Sequence, residues 1–460
     1  MKYSNLLAAV AVSLLPTSNA IELQVGNKDS VCNAATEIID GIMDYYLGIR
    51  YGGTVGMFQQ PYYWWESGLV FGGLIDTWKI CNNDTYVDII KAAFEHQKGV
   101  DNNFHAENQS DVMANDDQLF WGLAAMEAAE RDFPELSNGN NEPSYIDLAF
   151  TVYNEMASRW DENTCGGGLR WQILNNMSGW DYKSTVSTAG LFALSGRFAR
   201  YTDDDDYKRT ASRVLRWMKK SHFVHQVEGN DFYNVHDGAN INDNNRCPVV
   251  NGALWSYNYA LMIMGSAYMY GATQDATWSD EVGKFIGGLE HYMLNSTGGD
   301  TLFEYQCEQW EKCNNDQRAF RAAVARSLGE VVQLVPEQAD RAQRIIDASA
   351  KGAAASCSGG SDEKTCGMNW GIDGWDGLYG LGEQIAALEV IQNSVINTIP
   401  QPCTEETCGE DVDDDNISTV PAPTITIQIT DVNTNIITET LTVSKIDQVF
   451  YTGSTTSSSD

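Results

Sequence analysis

The feature that most constrains this chain is an alternation of two kinds of helical segment from about Val31 to Ile396. Apolar spacing predicts helices over 31–47, 66–79, 85–98, 116–131, 143–159, 184–201, 204–220, 251–270, 276–293, 317–332, 337–354 and 376–396. Breaks fall at signals such as Pro134, Gly271 and Pro336. The odd-numbered segments, such as 204–220 (DDDYKRTASRVLRWMKK), carry one apolar stripe and a charged face. The even-numbered ones, such as 251–270 (NGALWSYNYALMIMGSAYMY), are apolar nearly all round, with Gly or Ala permitting close approach. A helix of the second kind must be covered on every side. Six of each predict an all-α fold, an (α/α)6 barrel of six inner and six outer helices. A two-layer helical solenoid is the alternative, but no fixed-period repeat supports it.

The chain ends read differently. Residues 1–20 have one Lys ahead of an apolar run and small residues at Ser18-Asn19-Ala20, the pattern of a signal peptide. The helical catalytic domain is then expected over 21–396. Residues 397–451 form an acidic loop and a β-rich appendage, in which TITIQITDVNTNIITETLTV (424–443) alternates at strand period. Residues 452–460 form a Ser/Thr-rich flexible tail. Such a tail suits a cell-surface protein held by a lipid anchor, so a secreted, cell-surface or cell-wall location is expected, with membrane contact only through that anchor.

Ten cysteines in a secreted chain favour disulfides. Cys307/Cys313, Cys357/Cys366 and Cys403/Cys408 are near enough in sequence to staple loops, though spacing does not fix the pairing. Sequons at Asn83, Asn108, Asn176, Asn295 and Asn416 mark candidate glycosylation sites. A net charge of −34 excludes nucleic acid as a partner but not a polysaccharide. The chain is expected to be a monomer without cofactor or metal. His222, His225 and His236 beside Asp237 lack a closed ligand set, and Asp237–Asn245 lacks EF-hand spacing.

In an alternating barrel the inner helices begin on one face, and the unusual residues collect at those beginnings. Trp64, Trp65 and Glu66 open one inner helix and Asp116-Asp117 the next. Asp181, Tyr182 and Lys183 precede the third, and Trp255 and Tyr257 start the fourth. Arg318 and Arg321 start the fifth, and Trp370, Trp375 and Asp376 lead into the sixth. Trp180 joins this rim. Carboxylates, aromatics and arginines on one rim suit a sugar cleft, although buried aromatics and ion pairs would explain many of them singly. Asp116-Asp117 behind Asn115 would also serve as a cap with acids in the first helical turn. Yet only at a helix start can adjacent residues converge on one substrate. A glycosidase needs two carboxyl groups, about 5–5.5 Å apart for retention of configuration and about 6.5–9.5 Å for inversion.

The combination of Trp64-Trp65-Glu66-Ser67-Gly68, Asn115-Asp116-Asp117, Arg159-Trp160-Asp161, CGGGLRW (165–171) and Trp255 to Asn258 resembles glycoside hydrolase family 76 over about residues 30–395. The family comprises α-1,6-mannanases on an (α/α)6 barrel, and the likeness extends to its fungal cell-wall-assembly subgroup. The resemblance implies Asp116 as nucleophile and Asp117 as general acid/base. The rim supplies the candidate substrate contacts: Trp64, Trp65, Glu66, Asp181, Tyr182, Lys183, Tyr257, Arg318, Trp375 and Asp376. The implied partners are an α-mannose-containing glycan, from α-1,6-mannan or a GPI anchor core, and a β-glucan acceptor. The expected activity is thus retaining transfer of anchored mannoproteins to wall glucan. Plain mannan hydrolysis, and glycan binding by an inactive glycosidase scaffold, are the alternatives.

Overall fold

Each inner helix runs through side chains buried on all sides, and this property sorts the elements into two layers. The computed structural model describes residues 20–106, 109, 113–136, 142–295 and 299–409, and the backbone of 425–430 and 436–441. The signal-peptide residues 1–19, the sequons Asn108 and Asn416, and the 452–460 tail lie outside the described residues.

The inner layer is α2 (Trp64–Cys81), α4 (Asn115–Glu130), α6 (Thr185–Thr202), α8 (Ser256–Thr273), α11 (Phe320–Leu334) and α13 (Leu381–Asn393). The outer layer is α1 (Lys28–Met43), α3 (Val87–Gln97), α5 (Tyr145–Ser158), α7 (Asp205–Lys220), α9 (Ala276–Tyr292) and α12 (Pro336–Ser356). A single turn, α10 (Asn315–Arg318), leads into α11. Inner helices pack in the order α2, α4, α6, α8, α11, α13 and back to α2, which closes the ring. The fold is therefore the (α/α)6 barrel. Close approach is enforced by glycine: a Cβ on Gly68 would sit 2.8 Å from the Phe120 carbonyl carbon, and one on Gly196 would sit 2.7 Å from the Gly265 oxygen.

The structure corrects several boundaries. The segment expected from 251 becomes helical only at Ser256, because Val250–Asn251 pairs as a strand, and it runs through Gly271 to Thr273. The segment expected from 376 begins at Leu381, because Gly374 and Gly377 hold left-handed backbone that a helix cannot use. Short strands between helices, absent from the sequence reading, line the loop face: β1 (Tyr182–Ser184), β4 (Gly238–Asn240) and β5 (Val250–Asn251) form a three-stranded antiparallel sheet. Smaller hairpins pair β2 (Val224–Gln226) with β3 (Tyr233–Val235), and β6 (Leu294–Asn295) with β7 (Thr301–Leu302).

The compact unit that holds the barrel runs to Cys408. Its last segment is tied down where Cys403 N–H donates to the Glu130 carbonyl at 2.7 Å and Glu405 N–H to that of Tyr201 at 2.9 Å. A second unit, Gly409–Asp460, contains the antiparallel pair β8 (Ile425–Thr430) and β9 (Ile436–Leu441). Among the described residues all ten cysteines are paired: Cys32–Cys81, Cys165–Cys247, Cys307–Cys313, Cys357–Cys366 and Cys403–Cys408. No described helix is long and apolar enough to cross a membrane.

Opposite the loop face, the barrel axis is filled by charge. Arg197 donates to Glu127 at 2.8 Å and to Glu130 at 2.5 Å, with its guanidinium over the Tyr268 ring. Arg131 bonds Asp76 and Glu127, each at 2.9 Å, and Arg326 bonds Glu389. All are buried. Asp116 and Glu127 are eleven residues apart on α4, so this plug lies about 17 Å below the first turn of the helix.

Candidate active site

Asp116 and Asp117 occupy the first turn of α4, and the residues around them explain the neighbouring motifs. Asn115 N–H donates to the Trp171 carbonyl (2.9 Å) and the Asn115 side-chain amide to that of Arg170 (2.9 Å). Arg159 donates to Asn115 Oδ1 (2.9 Å) and Gln118 Oε1 (2.6 Å), and is itself held by Glu155. This clamp presses the 170–172 segment onto the helix start, where Ala114 and Gln172 bridge. It delivers the Trp171 indole N–H to Asp116 Oδ2 at 3.1 Å. The other oxygen, Oδ1, is buried with no hydrogen-bond partner. Asp117 Oδ2 accepts the Ala114 N–H at 2.7 Å, a capping bond.

Both carboxyl groups are half-buried. Burial, chiefly, and then the charge of Asp117 push Asp116 well above the usual range. Burial pushes Asp117 up to about 7 against the opposing Ala114 hydrogen bond. The two titrate as a pair. Asp116 lines a cleft.

The cleft has a volume of about 460 Å³. Its walls come from four inner-helix beginnings, the turn α10 and the small sheet: Trp65 on α2, Asp116 and Phe120 on α4, Ser184 and Val186 at α6, Tyr257 on α8, and Asp316 on α10. Trp171, Ser178, Gly179, Tyr182, Asp237, Asn240 and Asn251 complete it. Asp316 accepts the Trp65 indole N–H at 2.8 Å and is raised to about 6 by burial. Tyr182 donates to Asp237 at 2.5 Å, and Asn251 donates to the same carboxylate oxygen at 3.1 Å. Tyr257 stacks on Phe320 at 3.9 Å. Three carboxylates thus surround a partly aromatic cleft.

The structure thus brings Trp65, Asp116, Tyr182 and Tyr257 to the cleft and assigns other work to the remaining rim residues. Trp64 is a core side chain, stacked on Trp121 and donating to Gln97. Glu66 is buried and caps α2 through the Tyr63 N–H. Lys183 is buried and ties Gly168 to Asp161. Asp181 projects to solvent beside Arg170. Arg318 pairs with Glu383. Arg321 is fully buried, paired with Glu308 at 3.6 Å and donating to the Leu302 and Met368 carbonyls, with its guanidinium 3.9 Å from the Trp370 ring centroid. Asp376 pins the Met368, Asn369 and Leu378 N–H groups, and Trp375 covers Gly359 while donating to Leu378. Trp180 lies under the Arg170 guanidinium. Of the sequons, Asn176 is exposed, Asn83 is half-buried in a turn and Asn295 is half-buried in β6. Among the described residues no group of three or more His, Cys, Asp or Glu is placed to hold a metal ion.

Sequence reasoning missed Asp316, Trp171, Asp237 and Asn251 as site residues. Trp171 stood within a quoted motif, but only its pairing with Asp116 gives it a role. Asp237 and Asn251 reach the cleft through β4 and β5, which carry no pattern long enough to read.

Replacing the two tryptophans separates core from cleft. Trp64→Ala is expected to cost roughly 3–5 kcal/mol, as for a buried aromatic. Trp65→Phe keeps the packing on Phe120, so it is expected to cost under about 1.5 kcal/mol. It removes the donor to Asp316 and lowers activity. Denaturant melts beside an activity assay check this; equal destabilisation would remove Trp65 from the cleft.

The profile of glycosyl hydrolase family 76 matches residues 30–406. The mannan endo-1,6-alpha-mannosidase DCW1 of Saccharomyces cerevisiae is 45% identical over 407 residues, covering 88% of each chain. The mannan endo-1,6-alpha-mannosidase DFG5 of Candida albicans is 43% identical over 393 residues, 84% of this chain and 85% of that one. Dfg5 of Chaetomium thermophilum, solved in complex with glucosamine, superposes with a TM-score of 0.78 at 30% identity, over 84% of this chain and 95% of the other. The GH76A alpha-1,6-mannanase of Salegentibacter sp. shares the fold, with a TM-score of 0.62 at 15% identity over 80% and 99% of the two chains.

Proposed function

The chain belongs to glycosyl hydrolase family 76, and from that premise we propose that it is a retaining enzyme of the fungal cell wall acting on α-1,6-linked mannosides. The observation that carries the reading is the Asp116–Asp117 pair at the start of an inner helix, with Asp116 lining the cleft. Asp116 attacks the anomeric carbon; the bond to the leaving oxygen breaks as Asp117 protonates that oxygen. The mannosyl ester on Asp116 is then released when Asp117 takes a proton from the attacking hydroxyl. The Trp171 indole N–H stabilises the Asp116 carboxylate that this requires. Asp117 keeps one oxygen on the Ala114 N–H and uses the other. These roles place the proton on Asp117 once a glycan is bound. A leaving oxygen lodged against Asp117 supplies that bias.

The relatives named mannan endo-1,6-alpha-mannosidases support the linkage. The glucosamine held by the Chaetomium relative supports a donor that contains an amino sugar, for which Asp116, Asp237 and Asp316 offer counter-charge. The natural reaction on this reading is transfer of a GPI-anchor mannosyl glycan, with its protein, to a wall β-glucan. The protein acts as a secreted, lipid-anchored monomer. Incubation with a labelled anchor-core glycan, with and without β-glucan oligosaccharides, tests the transfer. A donor–acceptor adduct by mass is expected, with slow hydrolysis of plain mannan. Rapid mannan hydrolysis without adduct would leave a mannanase.

A further inference from the structure

Beside the catalytic cleft lies a second pocket of about 300 Å³ in the hairpin that joins β4 to β5. It shares Asn240 and Asn251 with the cleft and continues outward to Asn242, Pro248 and Val249. Its size falls at the lower end of the range of small-ligand pockets. Its chemistry differs from that of the cleft, since no charged side chain lines it. Amide groups alternate with aliphatic surface, and Val249 is 76% exposed.

The hairpin is built to be rigid. Cys247 is bonded to Cys165, and Cys165 N–H donates to the Asn245 carbonyl at 2.8 Å. Asn242 Oδ1 accepts the Asn244 and Arg246 N–H groups at 3.1 and 2.9 Å, and Ile241 N–H donates to the Asp181 carbonyl at 2.8 Å. A loop fixed this firmly loses little conformational entropy when a ligand settles on it. Asn251 meanwhile links the pocket to the Tyr182–Asp237 pair that walls the cleft.

We propose that this pocket is a separate subsite for one neutral hexose unit of the glycan whose reacting residue occupies the catalytic cleft. Amides meet hydroxyl groups, and Pro248 with Val249 meets the aliphatic face of the ring. The absence of lining charge excludes a charged sugar there. The subsite therefore reads chain length rather than the bond cleaved. It rests on the mannoside reading of the cleft.

Val249 lines only this pocket, so Val249→Glu tests the subsite without touching the cleft. With the variant melting as the parent does, kcat/KM for α-1,6-mannotetraose is expected to fall about tenfold through KM. The value for an aryl α-mannoside, too short to reach the pocket, is expected to stay unchanged. Titration of Asp116→Asn protein with mannotetraose, with and without Val249→Glu, gives the same contrast as binding. Equal values for parent and variant on mannotetraose, or equal losses on both substrates, would overturn the subsite. Parent protein that turns over neither substrate, together with no mannotetraose binding to Asp116→Asn, would instead overturn the mannoside reading beneath it.

Discussion

Asp116→Asn and Asp117→Asn are each expected to abolish measurable turnover while making the protein more stable at neutral pH. A general acid/base contributes roughly 10²–10⁴-fold to rate, and loss of a nucleophile costs at least as much, so either variant falls below ordinary detection. The stability change follows from linkage. In the unfolded chain an Asp titrates at about 3.9; in the fold burial raises Asp117 to about 7 and holds Asp116 well above its usual range. The penalty for burying these charges is absent at acid pH and grows as pH rises from about 4 through 7. Asparagine escapes it and still accepts the Ala114 hydrogen bond at position 117. A gain of about 1–3 kcal/mol at pH 7, discounted for partial exposure and vanishing near pH 4, is expected from denaturant melts at several pH values. If the pair only capped α4, both variants would stay active and lose about 0.5–2 kcal/mol.

The second large effect concerns the other end of the barrel. Arg197→Met leaves Glu127 and Glu130 buried without their shared cation, and such a break costs about 3–5 kcal/mol. Glu330→Gln behaves oppositely. Burial already pushes Glu330 well above the usual range, and neither of its side-chain oxygens has a hydrogen-bond partner, so its loss is close to neutral. Thermal melts of the two variants at pH 7 check the asymmetry. Equal destabilisation would mean that Glu330 is an ionised member of the network.

That charged plug shows how much of the fold was legible. The inner helices stand out in the sequence because their apolar residues cover every face, and the order of inner and outer helices follows from that alone. Their few charges were also visible: Asp76, Glu127, Glu130, Arg197, Arg326, Glu330 and Glu389 all fall in the middle or second half of an inner helix. Sequence periodicity cannot show that they meet, because closing the ring sets which helix faces which. α8 contributes Tyr268 instead of a charge and breaks the pattern.

The site divided on the same principle. That Asp116 and Asp117 stand at a helix start was readable, because they follow Asn115 and precede an apolar run. Trp64 and Trp65 are adjacent on α2, yet the first points into the core and the second into the cleft, a rotation no local pattern fixes. Lys183, Arg318 and Asp376 lie at the expected rim. Each bonds to a loop whose course the sequence does not give, Arg318 through the Cys313 carbonyl besides its pair with Glu383.

The central claim is that Asp116 carries a covalent mannosyl intermediate. Reacting the protein with an activated fluorinated α-mannoside, which forms such an ester faster than it is released, and mapping the modified peptide by mass spectrometry tests it directly. The account predicts one added sugar, on Asp116, absent from Asp116→Asn. Consumption of the reagent with no adduct, together with a product of inverted anomeric configuration, would contradict it.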